Sequence, residues 1–232
     1  MKKASIAVPP PVEVPVLFKG YRFPLSLRMV DELLAARSIE LTYEMVRCWA
    51  TTFGLTITKR IRSTAPGRGD KWHIDEVVVT INGRKHWMWR AVDQHGAVLD
   101  VLVQRRRDAA AAKRLMRKLL RRHGCPRVSV IVTDKLRSYA AAKNELGLNV
   151  EHRQHKGLNI RAENSHQTTR VRETVMRRFK SARQRQRFAS AHGQVSNLFV
   201  GCRYNRSAQC KREARAQAFA AWERASCARM PA

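Results

Sequence analysis

Paired cysteines are missing from this sequence. Its five cysteines, Cys48, Cys125, Cys202, Cys210 and Cys227, are odd in number and none forms a CxxC pair. A disulfide framework and a zinc knuckle are therefore not expected, and a reducing, cytoplasmic setting fits. Long apolar runs are missing too. Nothing approaches the roughly 20 consecutive apolar residues of a transmembrane helix. No apolar segment follows Lys2 and Lys3 as a signal peptide would require. Acidic residues are scarce: 18 Asp and Glu stand against 46 Lys and Arg, a formal net charge of +28. That excess is far beyond what solubility needs and points to a polyanionic partner. The basic residues spread over several segments rather than one amphipathic face, so nucleic acid is the expected partner and a membrane is not.

What is present divides the chain. Residues 1–20, with Pro9, Pro10, Pro11 and Pro15, read as a flexible arm. Over 21–61, Ser26 and Thr42 are N-cap candidates for two helices. Met29, Val30, Leu33 and Leu34 form the apolar stripe of the first. Met45, Val46, Trp49 and Phe53 form that of the second, which Gly54 is expected to end. Two short helices with a tight connection are the minimum helix-turn-helix, although an ordinary helical hairpin has the same pattern. Residues 62–70 read as a linker, 71–200 as a core and 201–232 as a basic tail with helical character. In the core, strand-like runs at 72–81, 85–93 and 97–104 are joined by short turns that suit antiparallel hairpins. There follow a helix over 108–124 capped by Asp108, a strand over 127–134, a helix over 135–147, a strand over 149–153 and a basic helical region over roughly 162–198. That order predicts an α/β layer structure with a mixed five-stranded sheet.

The stretch KWHIDEVVVTI puts Asp75 and Glu76 inside an apolar strand, where an unpaired carboxylate is costly. Asp134 ends the strand that can run parallel beside it, and ligand sites of open α/β sheets gather at such ends. A helix starting near Ala162 would place Glu163, His166, Gln167, Arg170 and Thr174 on one polar face, with Val171, Val175 and Phe179 on the neighbouring apolar stripe. Asp75, Asp134 and Glu163 converging would suit a pair of Mg²⁺ ions, with Mn²⁺ as a substitute. Plainer readings stand beside this one. Asp134 caps a helix, Glu163 is a surface residue, and one of Asp75 and Glu76 pairs with an arginine. Asp93, Asp100 and Asp108 read as turn, strand-end and cap residues.

The segments WHIDEVVVTINGRKHWMWRAVDQHGAVLDVLV, VIVTDKLRSYAAAKNELG and EHRQHKGLNIRAENSHQTTRVRETVMRRFKSARQ closely resemble small single-frame bacterial insertion-sequence transposases of the DDE class. The likeness runs from about Arg22 to Trp222. It implies a ribonuclease-H-like, integrase-like catalytic core preceded by a small all-α helix-turn-helix unit. By this resemblance Asp75, Asp134 and Glu163 are the catalytic triad and metal ligands, and Arg170 is the basic residue seven positions after the glutamate. The resemblance further implies binding to the terminal inverted repeats, strand cleavage by water, and attack of the freed 3′-hydroxyl on target DNA, with a fused cointegrate as one product. Ile160 departs from the pattern, which has a second Asn there. Glu173, 39 positions after Asp134, is the rival third acid.

Double-stranded DNA is thus the expected partner, engaged by a homodimer or higher oligomer in the cytoplasm at the nucleoid. Tyr43, Glu44, Arg47 and Thr51 are candidates for contact in the major groove. Lys135, Arg137, Lys156, Arg161, His166, Arg170, Arg172, Arg177, Arg178 and Lys180 border the carboxylates and are candidates for holding scissile or target DNA. Two other readings remain open at this level. One is a DNA-binding protein with a vestigial acidic core. The other is an RNA-binding protein that stacks bases on Trp87 and Trp89.

Overall fold

Alternation along the first strand decides the centre of the fold. In the computed structural model, which describes residues 18, 20–36, 38–65, 69–123, 128–175, 179–202 and 207–226, β1 spans Lys71–Ile81. Trp72 and Ile74 bury on one face and Val79 and Ile81 on the other, so the strand is covered on both sides. β2 (Arg84–Asp93) and β3 (Val98–Gln104) follow as antiparallel neighbours. Asn82 and Gly83, both at positive φ, form the two-residue turn between β1 and β2. α3 (Ala109–His123), β4 (Val130–Thr133), α4 (Arg137–Glu145), β5 (Glu151–Gln154), α5 (Ile160–Val175) and α6 (Ala182–Asn197) complete this part. The sheet order is β3-β2-β1-β4-β5, with β4 and β5 parallel to β1. This is the mixed five-stranded sheet expected of a ribonuclease-H-like core.

The two faces carry different helices. Ala111, Ala112, Leu115, Met116 and Leu119 of α3 and Tyr139 and Ala142 of α4 pack on Trp72, Ile74, Trp89 and Leu99. On the opposite face, Ala162 of α5 and Ala189 of α6 meet Val79, Met88, Val101 and Val103. Gly193 lets α6 approach β3 closely, because a Cβ there would lie 3.0 Å from a Val98 methyl. Asp108 caps α3, its Oδ1 accepting from Ala111 N at 2.9 Å. Asp93 is a turn residue that accepts from His95 N and Ala97 N. Asp100 is not at a strand end. It is buried within β3 and paired with Lys118 and Arg122 of α3, so part of that helix's basic surface serves an internal acid.

A second compact unit joins residues 1–65 to residues 201–232. Before the linker lie α1 (Leu27–Ala35) and α2 (Tyr43–Ser63), capped by Ser26 and Thr42 as expected. Val30, Leu34 and Val46 form their shared core; Met29, Leu33 and Met45 are exposed instead. Gly54 does not end α2. It lies inside this helix of 21 residues, where a Cβ would fall 2.2 Å from the Tyr21 hydroxyl, so its role is close approach. α7 (Ala208–Ser226) belongs to the same unit: Arg60 donates to Ala225 O at 3.3 Å, and Phe18 packs on Phe219 and Trp222. The arm expected over 1–20 falls almost wholly outside the described residues, as do Pro66, Gly67, Cys125 and Cys227. Among the described residues no helix is long and apolar enough to cross a membrane.

Leu115, fully buried in the α3 face of the core, sets a stability test. Leu115→Ala should cost about 2–5 kcal/mol in urea unfolding, while Val78→Ala, at an exposed site of β1, should cost under about 1 kcal/mol.

Candidate active site

Strand pairing brings two acids together. β1 and β4 are in register over Lys71–His73 and Val130–Val132. Asp75 lies two residues beyond His73 and Asp134 two beyond Val132, so both reach the same level just where the ladder opens. Carboxylate oxygens of Asp75, Glu76 and Asp134 all lie within 4.8 Å of one another. Asp134 also accepts from Leu136 N at 3.0 Å, a local turn that leads into α4, whose own N-cap is Leu136.

The neighbours Asp75 and Glu76 point to opposite faces of the sheet, and their surroundings differ accordingly. Glu76, whose side chain is 1 % exposed, accepts from Tyr139 Oη of α4 and from Arg107 Nε at 2.8 Å. Arg107 also reaches Asp134 Oδ2 at 3.5 Å, and its guanidinium lies 4.9 Å over the Trp87 ring. Glu76 is therefore the strand acid that pairs with an arginine. Asp75 faces α5, where His166 Nε2 is 3.4 Å from its Oδ2. Burial, and then the Glu76 charge, push Asp75 up to about 7, and Asp134 and Glu163 act in the same direction. Burial also raises Glu76, against the pull of Tyr139 and Arg107. His166, buried and facing the Arg90 and Arg170 cations, is held well below the ordinary imidazole value and is neutral at pH 7. A cluster of acids that resists ionisation in this way, with oxygen donors this close, has the chemistry of a hard divalent cation site.

α5 is set over this cluster by two anchors that sequence reasoning missed. Asn159, fully buried, donates from Nδ2 to Ile74 O at 2.9 Å, just past the last β1–β4 pair, while its own carbonyl accepts from Ala162 N and Glu163 N. Arg90, the cross-strand partner of Asp75, donates to Ser165 O and to Thr169 Oγ1. Burial and the nearby Arg185 guanidinium pull Arg90 down to about 9. The inner face of α5 is thus Ala162, His166, Thr169 and Arg172, and not the apolar stripe expected, since Val171 is 53 % exposed. A buried guanidinium on the sheet requires acceptors above it, which a valine stripe cannot offer. Asn159 stood in the quoted motif and Arg107 in an arginine run, but nothing in their spacing marks either as part of the site.

The two candidates for a third acid part company. Glu163 is exposed in the first turn of α5 and adds to the field that raises Asp75. Glu173 instead pairs at 3.1 Å with Arg185, a buried guanidinium 4.6 Å over the Phe179 ring. Ile160, the departure from the motif, starts α5 and is 54 % exposed.

Of the residues expected to contact DNA, Lys135, Arg137, Arg161, Arg170 and Lys180 are exposed. His166 and Arg172 are buried, His166 against Asp75 and Arg172 with its guanidinium 5.3 Å over Phe188, so neither offers a surface contact. Arg177, Arg178 and the Lys156 side chain lie outside the described residues. In the helical unit, Tyr43, Glu44, Arg47 and Thr51 are all exposed on α2, and spacing by four puts Tyr43, Arg47 and Thr51 on one stripe. Glu44 holds the Arg47 guanidinium at 2.5 Å. Trp89 is fully buried edge-on to Tyr139, and Trp87 is covered by Arg107, which removes the stacking platform that RNA binding required.

Residues 69–201 match the model of a DDE domain family. The chain is 28 % identical over 162 residues to the transposase for insertion sequence element IS257 in transposon Tn4003 of Staphylococcus aureus, covering 67 % of this chain and 71 % of that one. It matches the transposase for insertion sequence-like element IS431mec of the same species to the same extent. Among solved structures it is similar to the catalytic core domain of BIV integrase, at 17 % identity, 55 % and 82 % coverage and a TM-score of 0.36, a distance at which the match adds nothing to the assignment. With more than half of its length in the matched domain and its acids gathered at the open end of the β1–β4 ladder, the chain belongs to the DDE transposases of insertion-sequence elements.

Proposed function

We propose that this transposase binds the terminal inverted repeats of its element and catalyses divalent-metal-dependent strand cleavage and strand transfer at Asp75, Asp134 and Glu163. The observation that carries the reading is the juxtaposition of Asp75 and Asp134 at the ends of adjacent parallel strands, with Asp75 driven up to about 7 by burial and then by its acidic neighbours. A pair of Mg²⁺ ions held by these carboxylates would supply the charge that orients the attacking oxygen and stabilises the phosphorane-like charge of phosphoryl transfer. The protein's own residues do the rest. Asp75 enters the reaction as the ionised acid, so loading of the site releases a proton. Glu76, fixed by Tyr139 and Arg107, keeps Arg107 between itself and Asp134. Asn159 ties the first turn of α5 to the β1 backbone one residue before Asp75, which supports Glu163 as the third acid. The Glu173–Arg185 pair supports the same choice, since it engages the rival carboxylate elsewhere. Exposed Arg161 and Arg170 on α5 are suited to holding the phosphates on either side of the scissile bond.

Repeat recognition falls to the exposed Tyr43, Arg47 and Thr51 stripe of α2, placed in the major groove with Glu44 steering Arg47. Two element ends must be held together for transfer, so the active species is at least a dimer on DNA.

Strand transfer into target DNA, from a duplex ending in the repeats that flank the gene, tests the assignment directly. Asp75→Asn and Glu163→Gln should each lower the rate by about 10²–10⁴-fold, the loss expected when several kcal/mol of charge stabilisation disappears. Full activity in Glu163→Gln would remove Glu163 from the triad. Binding of repeats without any joining by the wild type would leave a DNA-binding protein only.

The acid cluster also makes stability depend on pH. Asp75 holds its proton in the folded chain up to about 7 but in the unfolded chain only to about 3.8, so its stabilising contribution is complete below pH 4 and lost as pH rises through 7. In EDTA at pH 8, Asp75→Asn should therefore be more stable than wild type, by at most about 4 kcal/mol. At pH 4 the two should melt together. Added Mg²⁺ should raise the wild-type melting temperature at pH 8 and leave that of the variant nearly unchanged. A variant less stable than wild type in EDTA at pH 8 would contradict the reading.

A further inference from the structure

The far end of the sheet carries a second group of charged residues that the carboxylate site does not use. At the β1–β2 turn lies a cavity of about 420 Å³ lined by Ile81, Asn82, Arg84, His86, Arg105 and the segment Lys180–Ala182. Its lining includes two arginines, a lysine and a histidine, and no carboxylate. Among the described residues none of these four side chains forms an ion pair, although the core does pair Arg107, Lys118, Arg122 and Arg185 with acids. Uncompensated like charges gathered around one concavity cost energy unless an anion joins them.

The walls of the cavity are held in place. Asn82 Nδ2 donates to Lys180 O at 2.8 Å, tying the hairpin turn to the segment that leads into α6. That segment is fixed in turn by a reciprocal pair: Lys180 N donates to Gln184 Oε1 at 2.8 Å, and Gln184 N donates to Ser181 Oγ at 3.1 Å. Phe179, just before it, is buried. His86 Nδ1 lies 3.1 Å from Arg84 O, a carbonyl to which it can only donate.

Side-chain parity relates the cavity to the acids. Asp75 and Ile81 point to the same face of β1, Arg84 and His86 share the face of Met88 on β2, and Arg105 continues the face of Val101 and Val103 on β3. All belong to the side covered by α5 and α6, where Asp75 meets His166. Asp75 and Ile81 are six positions apart on β1, a span of about 20 Å, which equals about six base pairs of duplex.

We propose that this cavity is a phosphate-binding subsite for duplex DNA, gripping a backbone phosphate about six base pairs from the bond at the carboxylates, through Arg84, Arg105 and Lys180 with His86 beside them. This inference rests on the transposase reading and extends it to residues outside the DDE cluster. Contacts to the phosphate position DNA without reading its sequence, so the subsite would serve element ends and target alike.

The test is fluorescence anisotropy on a labelled 30-base-pair duplex over a salt series, with full-length protein. Arg84→Gln/Lys180→Gln is compared with Arg117→Gln/Arg121→Gln, which removes the same charge from exposed positions on α3, across the sheet. The first pair should weaken binding by about 10- to 100-fold at 0.1 M salt and flatten the log K against log salt slope by nearly two, one contact per residue lost. The control pair should change the slope by less than about half a contact. Equal losses in both pairs would show diffuse charge attraction and overturn the subsite while leaving the transposase reading intact. Wild type that binds no duplex would overturn the reading itself. Unchanged melting temperatures confirm that each variant is folded, since all four side chains are exposed.

Discussion

The separation of β1 from β4 after a few registered pairs is the constraint on which the site depends. While two strands stay paired, their backbone groups satisfy each other and little can lodge between them. Beyond His73 and Val132 the ladder opens, and polar groups must find other partners. Asn159 supplies one for Ile74 O, and by doing so fixes the start of α5. The same opening lets Asp134 and Glu76 approach Asp75 within one cation's reach. A longer ladder would hold the two aspartates apart behind paired backbone. A shorter one would remove the shared level that puts them opposite each other.

Around that opening, charge is compensated in two different ways. On the α3 and α4 side, Glu76 is matched internally by Arg107 and Tyr139, and Asp100 by Lys118 and Arg122. On the α5 side the match is incomplete. Asp75 faces a neutral imidazole, while Arg90 is satisfied by a carbonyl and a hydroxyl rather than by an acid. Buried charge without an opposite partner is expensive, and its persistence is expected where a bound ion or substrate completes the arrangement. The polar inner face of α5 follows from the same requirement. It covers a guanidinium, so it must offer oxygen.

The basic excess divides along similar lines. Part of it is spent inside the fold, on Asp100, Glu76 and Glu173, or buried over Phe179 and Phe188. Another part stands exposed with no ion pair among the described residues, as at Arg161 and Arg170 on α5 and at Arg84, Arg105 and Lys180 around the β1–β2 turn. Composition gives the sum of these populations, and only packing separates them. Arg172 and Lys180 look equivalent in a list of charges, yet one is buried beneath the surface and the other exposed on it.

Local chemistry was enough for the sequence alone to determine the caps at Ser26, Thr42 and Asp108, the Asn82-Gly83 turn, the three hairpin strands and the place of Asp134 at a strand end. Each depends on neighbours a few positions away, or on a strand period that a single residue slip would invert. The family resemblance rested on the same contiguous segments and was legible for the same reason. Gly54 shows the limit: a glycine reads as a helix stop unless one knows that Tyr21 crosses it. The buried placement of His166, the clamp of Arg90 on α5, the Asn159 anchor, and the pairing of Glu76 with Arg107 across 31 positions were decided only by tertiary structure. Each joins groups far apart in the chain through burial and direction, which no period or cap records.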